Sequence, residues 1–327
     1  MKMKVSFWRP SLCIVFFSIW GVLARMGLIA LTTYSGAFLG GVIWANCAAC
    51  FIMGLAVKTN DIWRKVSPTH GSKGAIPMYV GVTTGFCGTC SSFSSFILES
   101  FEKTANMSSE HFHYPNRAYG IMEALAVLIA HMAISASSYV VGQHAGSLID
   151  RIGSFSPTFY RRTEYAIHIV GLAMYGGVIA LLATEKHGAW RPWMFSCLFT
   201  PWAALIRYAA AKLLNPRTPR FPMGTFAVNV GGTLLLAVFT ILSRGRRRPF
   251  SNSPVVRGKM GCHVLWGLDN GFCATVTTIS TFVAELYSLS LGSAYLYGLV
   301  SVALGFVIVL LIVGSYDWAV GFTAAVC

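Results

Sequence analysis

Hydroxyl-bearing residues are concentrated in two apolar segments of this chain, and the two segments are near copies of each other. Residues 85–99 read GFCGTCSSFSSFILE, and residues 271–285 read GFCATVTTISTFVAE. Seven of the fifteen positions are identical, and three more exchange Ser for Thr. Glycines and hydroxyls at this density predict a break in an apolar helix, whose freed carbonyls then need partners from protein, water or an ion. Two such breaks that meet near the midplane could hold a small cation between them.

Two further polar residues recur at matched positions of the repeat. Arg25 in GVLARMGL corresponds to Arg207 in AALIRYAA, and Asn46 in VIWANCAA corresponds to Asn229 in TFAVNVGG. A single amide in an apolar helix can simply join two helices. A matched pair of amides indicates a shared site, and each offers N–H donors that suit an anion without a full positive charge.

Phenylalanines lie beside the hydroxyl runs, at positions 93, 96 and 282. The edge of an aromatic ring carries partial positive charge and can face an anion. Close packing of two glycine-rich helices would explain the glycines, but not the hydroxyls. The pattern therefore predicts an anion path lined by amides, hydroxyls and ring edges, which would hold an anion weakly enough to release it.

The composition indicates that these residues are positioned by membrane-spanning helices. The chain has 327 residues, of which 55% are hydrophobic and 11% are charged, whereas a soluble domain carries roughly a quarter charged residues. Its apolar runs have the length of about 18–25 residues that crosses a bilayer. The predicted spans are 11–32, 37–57, 75–98, 121–146, 166–184, 193–214, 223–243, 261–290 and 295–325.

These spans predict an all-α integral membrane protein of about nine helices, organised as four, one and four. A single linking span, 166–184, places the two four-helix units in opposite orientation, as an inverted repeat with a broken third helix in each unit. The expected units are residues 1–150 and 191–327. Residues 151–190 form the linker with its single transmembrane helix.

The formal charge of +14 is explained by short loops that set the orientation, without a nucleic-acid partner. The basic residues of the first half place the N-terminus inside. The basic loop 244–259 would then lie outside, against the positive-inside rule. A glycosylation tripeptide at Asn106 would also lie outside.

The sequence carries little sign of an enzyme or of a redox centre. Cys87 and Cys90 form a C-x-x-C pair, but Val276 stands opposite Cys90 in the second repeat, and no second pair completes a four-ligand set. Most of the nine cysteines lie in spans and are expected to pack there. The histidines show no spacing typical of catalysis.

The segments SSFSSF and TTISTF resemble the TTFSTF signature of the Fluc/FEX fluoride channels. The arginine, the asparagine and a glutamate three residues after the signature (Glu99 and Glu285) strengthen the resemblance. The four-one-four organisation is similar to that of the fused two-domain eukaryotic fluoride exporters.

The resemblance implies a role for each matching residue. It implies a fluoride pore lined by Asn46, Asn229, Phe93, Phe96, Phe282, Ser94, Ser280, Thr281, Tyr297 and Ser301. It places Arg25, Arg207, Glu99 and Glu285 near pore mouths. It also implies one structural sodium ion, and no other cofactor, held by the backbone carbonyls of Gly88, Ser91, Ala274 and Thr277.

Two departures from the family pattern predict one working pore and one vestigial pore. Ile279 stands where the family has its first phenylalanine, and the first unit has His131 and Ser135 in place of Tyr-x-x-x-Ser. Phe93 with Phe282 would form a complete pair, whereas Phe96 with Ile279 would not.

The resulting prediction is a passive fluoride channel that acts as a monomer in the lipid bilayer and exports cytoplasmic fluoride across the plasma membrane. The alternative is a proton-coupled drug exporter of the small dual-topology type, which would need a buried carboxylate for proton exchange.

Overall fold

The computed structural model describes residues 7–34, 37–107, 114–116, 118–186, 188–249 and 253–327. The first unit contains α1 (Trp8–Thr32), α2 (Val42–Lys58), α3 (Pro77–Val80), α4 (Gly88–Cys90), α5 (Phe93–Thr104) and α6 (Ala118–Ile149). The linking helix is α7 (Pro157–Thr184). The second unit contains α8 (Arg191–Leu214), α9 (Met223–Arg244), α10 (Lys259–Gly267), α11 (Ala274–Val276), α12 (Ser280–Ser288), α13 (Leu291–Val309) and α14 (Ser315–Ala319). Short π-helical segments at Gly81–Cys87, Leu268–Cys273 and Leu310–Gly314 connect neighbouring helices.

The predicted all-α membrane architecture with two related units is confirmed. Five helices are long and apolar enough to cross a bilayer: α1, α6, α7, α9 and the continuous helix Leu291–Ala319. The apolar helix α2 is shorter. The exact number of nine spans stays a prediction, because α8 and the two broken helices do not meet the same criterion of length and hydropathy.

The third helix of each unit is broken inside its hydroxyl run. After α4 the backbone turns extended at Ser91 (φ −88°, ψ 154°) and Ser92 (φ −142°, ψ 124°). After α11 it does the same at Thr277 (φ −89°, ψ 157°). The Ser92 hydroxyl then accepts a hydrogen bond from the Ser95 N–H at 3.2 Å and so caps α5.

The two breaks contact each other through reciprocal hydrogen bonds. The Ser280 N–H donates to Ser91 Oγ at 3.1 Å, and the Ser94 N–H donates to Thr277 Oγ1 at 3.2 Å. In the repeat Ser91 matches Thr277 and Ser94 matches Ser280, so each of these hydrogen bonds is the counterpart of the other. Reciprocal contacts of this kind are those of a two-fold axis, which here passes between the breaks.

The other helices of each unit pack closely against one another. Helix α2 packs along α6, and α9 packs along α13. A Cβ at Gly142 of α6 would overlap the Phe51 carbonyl of α2, and one at Gly54 would overlap the Tyr139 carbonyl. Glycine is needed at both positions because the two backbones touch.

The linking helix is held to α1 by an ion pair between the buried Glu164 and the partly exposed Arg9. Glu164 of α7 accepts from Arg9 Nε at 2.8 Å and from Arg9 Nη2 at 2.7 Å. His168, one turn along α7, brings its Nε2 within 3.5 Å of the Cys13 sulfur on α1. A bidentate arginine–carboxylate pair fixes the direction of approach as well as the contact.

A disulfide joins Cys262 of α10 to Cys327. The segment before Cys327 also pairs with the loop after α9, where the Thr323 N–H donates to the Arg244 carbonyl at 2.8 Å. The sequence did not suggest this bond, although both cysteines lie at the ends of predicted spans. Among the described residues the other seven cysteines are free thiols, including Cys87 and Cys90.

Candidate ion pathways

Asn46 and Asn229 make the same contact in the two units. The Asn46 amide donates to the Ser92 carbonyl at 3.3 Å and accepts from the Ser92 N–H at 2.8 Å. Asn229 holds Thr278 in the same way, at 3.2 and 2.8 Å. Each asparagine thereby pairs with both the N–H and the carbonyl of one residue in a broken helix. Because an amide nitrogen has two N–H donors, one donor of each remains for another partner.

Residues from both units form the first of two polar tracks. The rings of Phe93 and Phe282 lie 5.6 Å apart at 62°, and the ring of Tyr297 lies 5.0 Å from that of Phe282. Ser301 follows one turn later on α13, and its hydroxyl donates to the Tyr297 carbonyl at 2.6 Å. Asn229 is on α9, which packs against both α5 and α13. We call these five residues the first track.

Glu285 lies beside the first track and is partly buried. Tyr297 donates to its Oε2 at 2.8 Å, and Thr225 donates to its Oε1 at 2.6 Å. The Asn215 amide also donates to Oε1, at 3.0 Å. Three donors therefore surround this carboxylate. The place of Glu285 near a pore mouth stays a prediction.

The matching residues form a second track, which consists of Asn46 on α2, Phe96 on α5, His131 and Ser135 on α6, and Ile279 directly before α12. The ring of Phe96 lies 4.9 Å from that of His131, at 31°. His131 Nε2 is 3.4 Å from Glu99 Oε2, and the Gly40 N–H donates to Glu99 Oε1 at 2.6 Å. Within the described part of the chain, both His131 nitrogens and the Ser135 hydroxyl are buried without a hydrogen-bond partner.

The remaining hydroxyls of the predicted pore lie at or near the crossing of the breaks. Ser94 Oγ is 3.0 Å from Thr277 Oγ1, and the Ser91 hydroxyl donates to Ser280 Oγ at 3.0 Å. Thr281 is half-buried at the start of α12. Most of these hydroxyls are thus hydrogen-bonded to polar groups of the two breaks.

Arg25 and Arg207 lie at the centre of the molecule, 0% and 2% exposed. Arg207 Nη1 donates to the carbonyls of Gly88 (2.6 Å), Thr277 (3.3 Å) and Thr275. Arg25 Nη1 donates to the Ala274 carbonyl at 3.1 Å. Both arginines contact the broken helices, and their place near pore mouths stays a prediction. The breaks free carbonyls inside the protein, and these accept hydrogen bonds from the Nη groups of each buried guanidinium. Within the described residues, the Nε of each arginine is buried without a hydrogen-bond partner.

The carbonyls expected to hold sodium are largely the same ones that meet the arginines. Those of Gly88, Ala274 and Thr277 accept from a guanidinium, and Ser91 stands in the same break as Gly88. Oxygens from both units converge on a single atom, Arg207 Nη1. Such a cluster of carbonyl oxygens fits positive charge at the crossing. No group of three or more His, Cys, Asp or Glu side chains that could hold a metal occurs in the described ranges.

Comparison with known proteins identifies close relatives over nearly the whole chain. A family model described as CrcB-like protein, Camphor Resistance (CrcB), matches residues 12–143 and 194–314. Fluoride export protein 1 of Candida albicans is 47% identical over 320 residues, which cover 97% of this chain and 82% of that protein. Fluoride export protein 1 of Saccharomyces cerevisiae is 32% identical over 359 residues, covering 95% of this chain and 94% of that protein.

A shorter relative matches only part of the chain. The fluoride-specific ion channel FluC of Ignicoccus hospitalis is 35% identical over 112 residues, which cover 33% of this chain and 80% of that protein. No solved structure matches the chain.

Proposed function

This chain belongs to the CrcB-like family of fluoride channels and fluoride exporters, and from that membership we propose how it carries fluoride across a membrane. It is a multi-pass membrane protein and a fluoride channel, a transporter rather than an enzyme. The drug-exporter alternative is not favoured, because the relatives over the whole chain are named for fluoride export.

Fluoride passes through the first track in our proposal, and the second track is vestigial. The observation that carries this assignment is the pair of rings from opposite units, Phe93 and Phe282, whose centroids lie 5.6 Å apart next to Tyr297. Ring edges and the second N–H of Asn229 offer partial positive charge to fluoride. Contacts of this strength hold an anion without trapping it, which conduction requires.

Transport is passive and outward under this proposal. Fluoride enters acid-exposed cells as HF and ionises in the neutral cytoplasm. A negative interior then drives the anion out by about 2.3 kcal/mol per 100 mV for each charge. The chain needs no coupling ion for this, and it acts as a monomer because both units are present in one polypeptide.

The plasma membrane is the proposed location, with the N-terminus inside. The Cys262–Cys327 disulfide supports this orientation, because disulfides persist in oxidising compartments. With nine spans both cysteines lie outside, and so does the basic loop 244–259. In that loop Arg246 Nε donates to the Phe322 carbonyl at 3.0 Å. Part of its positive charge is therefore used in a local contact.

We also propose a structural sodium ion at the crossing of the breaks, held by the carbonyls of Gly88, Ser91, Ala274 and Thr277. It would supply positive charge between two sets of converging carbonyl dipoles. The arginines contact three of these four carbonyls, so ion and guanidinium compete for them. A higher melting temperature in sodium than in N-methylglucamine would support the ion. Equal melting temperatures would mean that the arginines suffice.

The proposal is tested by fluoride efflux from proteoliposomes, read with a fluoride electrode after valinomycin is added to clamp the potential. Rapid fluoride release, with little chloride release from matched vesicles, is the expected result. Folded protein that releases no fluoride would contradict the proposal. Uptake of a cationic drug driven by a proton gradient would instead restore the exporter alternative.

A further inference from the structure

An open cavity of about 420 Å³ lies where the start of the linking helix meets α1 and the loop that follows α2. The loop packs against the linking helix here. The Phe155 N–H, just before α7, donates to the Ile62 carbonyl at 3.0 Å, and the Trp63 and Tyr160 rings lie 6.4 Å apart. Three separate parts of the chain therefore form the walls, and the lining side chains include those of Trp8, Arg9, His70, Tyr160, Arg161 and Tyr165.

Two polar atoms of the lining residues are buried without a hydrogen-bond partner among the described residues. They are the Tyr160 hydroxyl and His70 Nε2, and Tyr160 as a whole is 3% exposed. The other nitrogen of His70, Nδ1, already lies 3.0 Å from the Val66 carbonyl. Since buried polar groups in folded proteins are nearly always paired, these two atoms are available to a bound group.

The rim of the cavity is basic. Arg161 is exposed, and its guanidinium lies 5.9 Å from the centre of the Tyr165 ring. Arg9 binds Glu164 through Nε and Nη2, which neutralises that carboxylate and leaves the N–H groups of Nη1 for another acceptor. The cavity therefore favours an anion, and the planar donors of a guanidinium suit the oxygens of a phosphate group.

Trp8 and Tyr165 indicate the depth of the cavity in the bilayer. Both line it, and they are 57% and 52% exposed. They lie near the N-terminal ends of α1 and α7, which are both long and apolar enough to cross a membrane. Exposed Trp and Tyr at the ends of spans lie at the level of the lipid headgroups. With the N-terminus inside, this is the cytoplasmic leaflet, which carries the anionic lipids.

We propose that this cavity binds the phosphate of an anionic phospholipid headgroup. Arg161 and Nη1 of Arg9 contact the phosphate oxygens, and the Tyr160 hydroxyl donates to one of them. His70 Nε2 donates to another when the imidazole is protonated. The lipid then bridges α1, α7 and the loop 61–76, and it stabilises the attachment of the linking helix. This site is separate from both tracks and does not depend on the path of fluoride.

Thermal unfolding of the full chain in detergent provides the test. Added dioleoyl phosphatidylserine should raise the melting temperature in a saturable manner, whereas phosphatidylcholine with the same acyl chains should raise it much less. Arg161→Gln should increase the lipid concentration at the half-maximal shift by about fivefold, the effect of one basic residue at an anionic membrane surface. Arg162→Gln is the matched control, because it removes the same charge one residue later and does not line the cavity.

Tyr160→Phe separates binding in the cavity from attraction to a charged surface. It removes a buried hydroxyl and no charge, so it should weaken the effect of phosphatidylserine only if the headgroup enters the cavity. An effect of the lipid that is equal in this variant and in the wild type would overturn the inference.

Two further outcomes would also overturn it. One is an equal shift with phosphatidylserine and phosphatidylcholine, and the other is an equal effect of Arg161→Gln and Arg162→Gln. Inorganic phosphate is the third arm of the experiment. A shift with phosphate that Arg161→Gln removes, beside none with lipid, would make free phosphate the ligand and contradict the lipid assignment. Fluoride efflux is not the readout, so each of these failures leaves the proposed function intact.

Discussion

Phe93 and Phe96 are neighbouring rings of α5 that belong to different tracks. Phe93 contacts Phe282 of the other unit, whereas Phe96 contacts His131 of its own unit. The two rings themselves lie 6.0 Å apart. One helix end therefore contributes to both tracks, and single substitutions can distinguish them.

Phe93→Ile should bring fluoride efflux down to the level of empty vesicles, because it leaves the first track with one of its two phenylalanine rings. Phe96→Ile should lower the rate only mildly, since it changes the track that we propose to be vestigial. Efflux from proteoliposomes with equal protein content measures both. Comparable losses in the two variants would rule out the asymmetry between the tracks.

The Tyr297 hydroxyl is one of three hydrogen-bond donors to the partly buried Glu285 carboxylate. Tyr297→Phe removes this donor and should lower the stability of the fold by about 1–3 kcal/mol, the usual contribution of a hydrogen bond to a charged group. Thermal unfolding in detergent measures the loss. Tyr295→Phe is the matched control, because that ring is 72% exposed two residues earlier. Equal melting temperatures for both variants would contradict the assignment.

At the scale of single residues, the sequence predicted which residues belong to the site better than it predicted what those residues contact. The matched asparagines, arginines and phenylalanines were evident from the repeat alone. The position of Arg25 and Arg207 was not, because a lone arginine in an apolar helix gives no sign of which carbonyls it will meet. The donors around Glu285 were also missed. Asn215 and Thr225 lie 70 and 60 residues away along the chain, and only the fold brings them together.

Helices α2 and α6 depend on glycine where their backbones touch. Gly142→Ala should destabilise the protein by roughly 1–3 kcal/mol, because the added methyl group overlaps the Phe51 carbonyl and the helices must separate. A melting curve in detergent reports the change. Gly177→Ala on the linking helix is the control, since a methyl group at that position would have no atom of another residue within 4 Å. Similar melting temperatures for the two variants would show that the contact adapts without cost.

The broken helices were predictable as elements because glycine and hydroxyl residues accumulate at one place in each apolar run. Their pairing followed from the repeat. The π-helical segments before each break were not predictable, since Gly81–Cys87 and Leu268–Cys273 share little beyond the sequence GFC. Their path is set by packing against α1 and α8.

The whole molecule combines two units related by a pseudo-two-fold axis with a disulfide that occurs in the second unit. The two cysteines of the disulfide are 65 residues apart in the sequence, and the loop between them contains the second break and α13. The described residues of the first unit contain no corresponding disulfide. In the chain-entropy account a loop of this length is worth about 4 kcal/mol. The second unit is therefore expected to depend on the redox state of its surroundings.

Cys262→Ser with Cys327→Ser should lower the melting temperature clearly, and a reductant should do the same to the wild type but not to the double variant. Cys47→Ser controls for the loss of a free thiol. Fluoride efflux per folded molecule should not change, because neither cysteine lies in a track. A wild type that melts at the same temperature with and without reductant would contradict a stabilising bond.

The disulfide also constrains biogenesis. Cys262 lies in α10, at the start of the second broken helix, and Cys327 follows α14. In the proposed topology the bond can close only after the helices between the two cysteines have been inserted. The presence of the disulfide therefore indicates that the helices between its two cysteines have been inserted into the membrane. An expression host in which Cys262 and Cys327 face a reducing compartment should yield protein without the disulfide. A host in which they face an oxidising compartment should yield protein with it. Non-reducing gels would distinguish the two products.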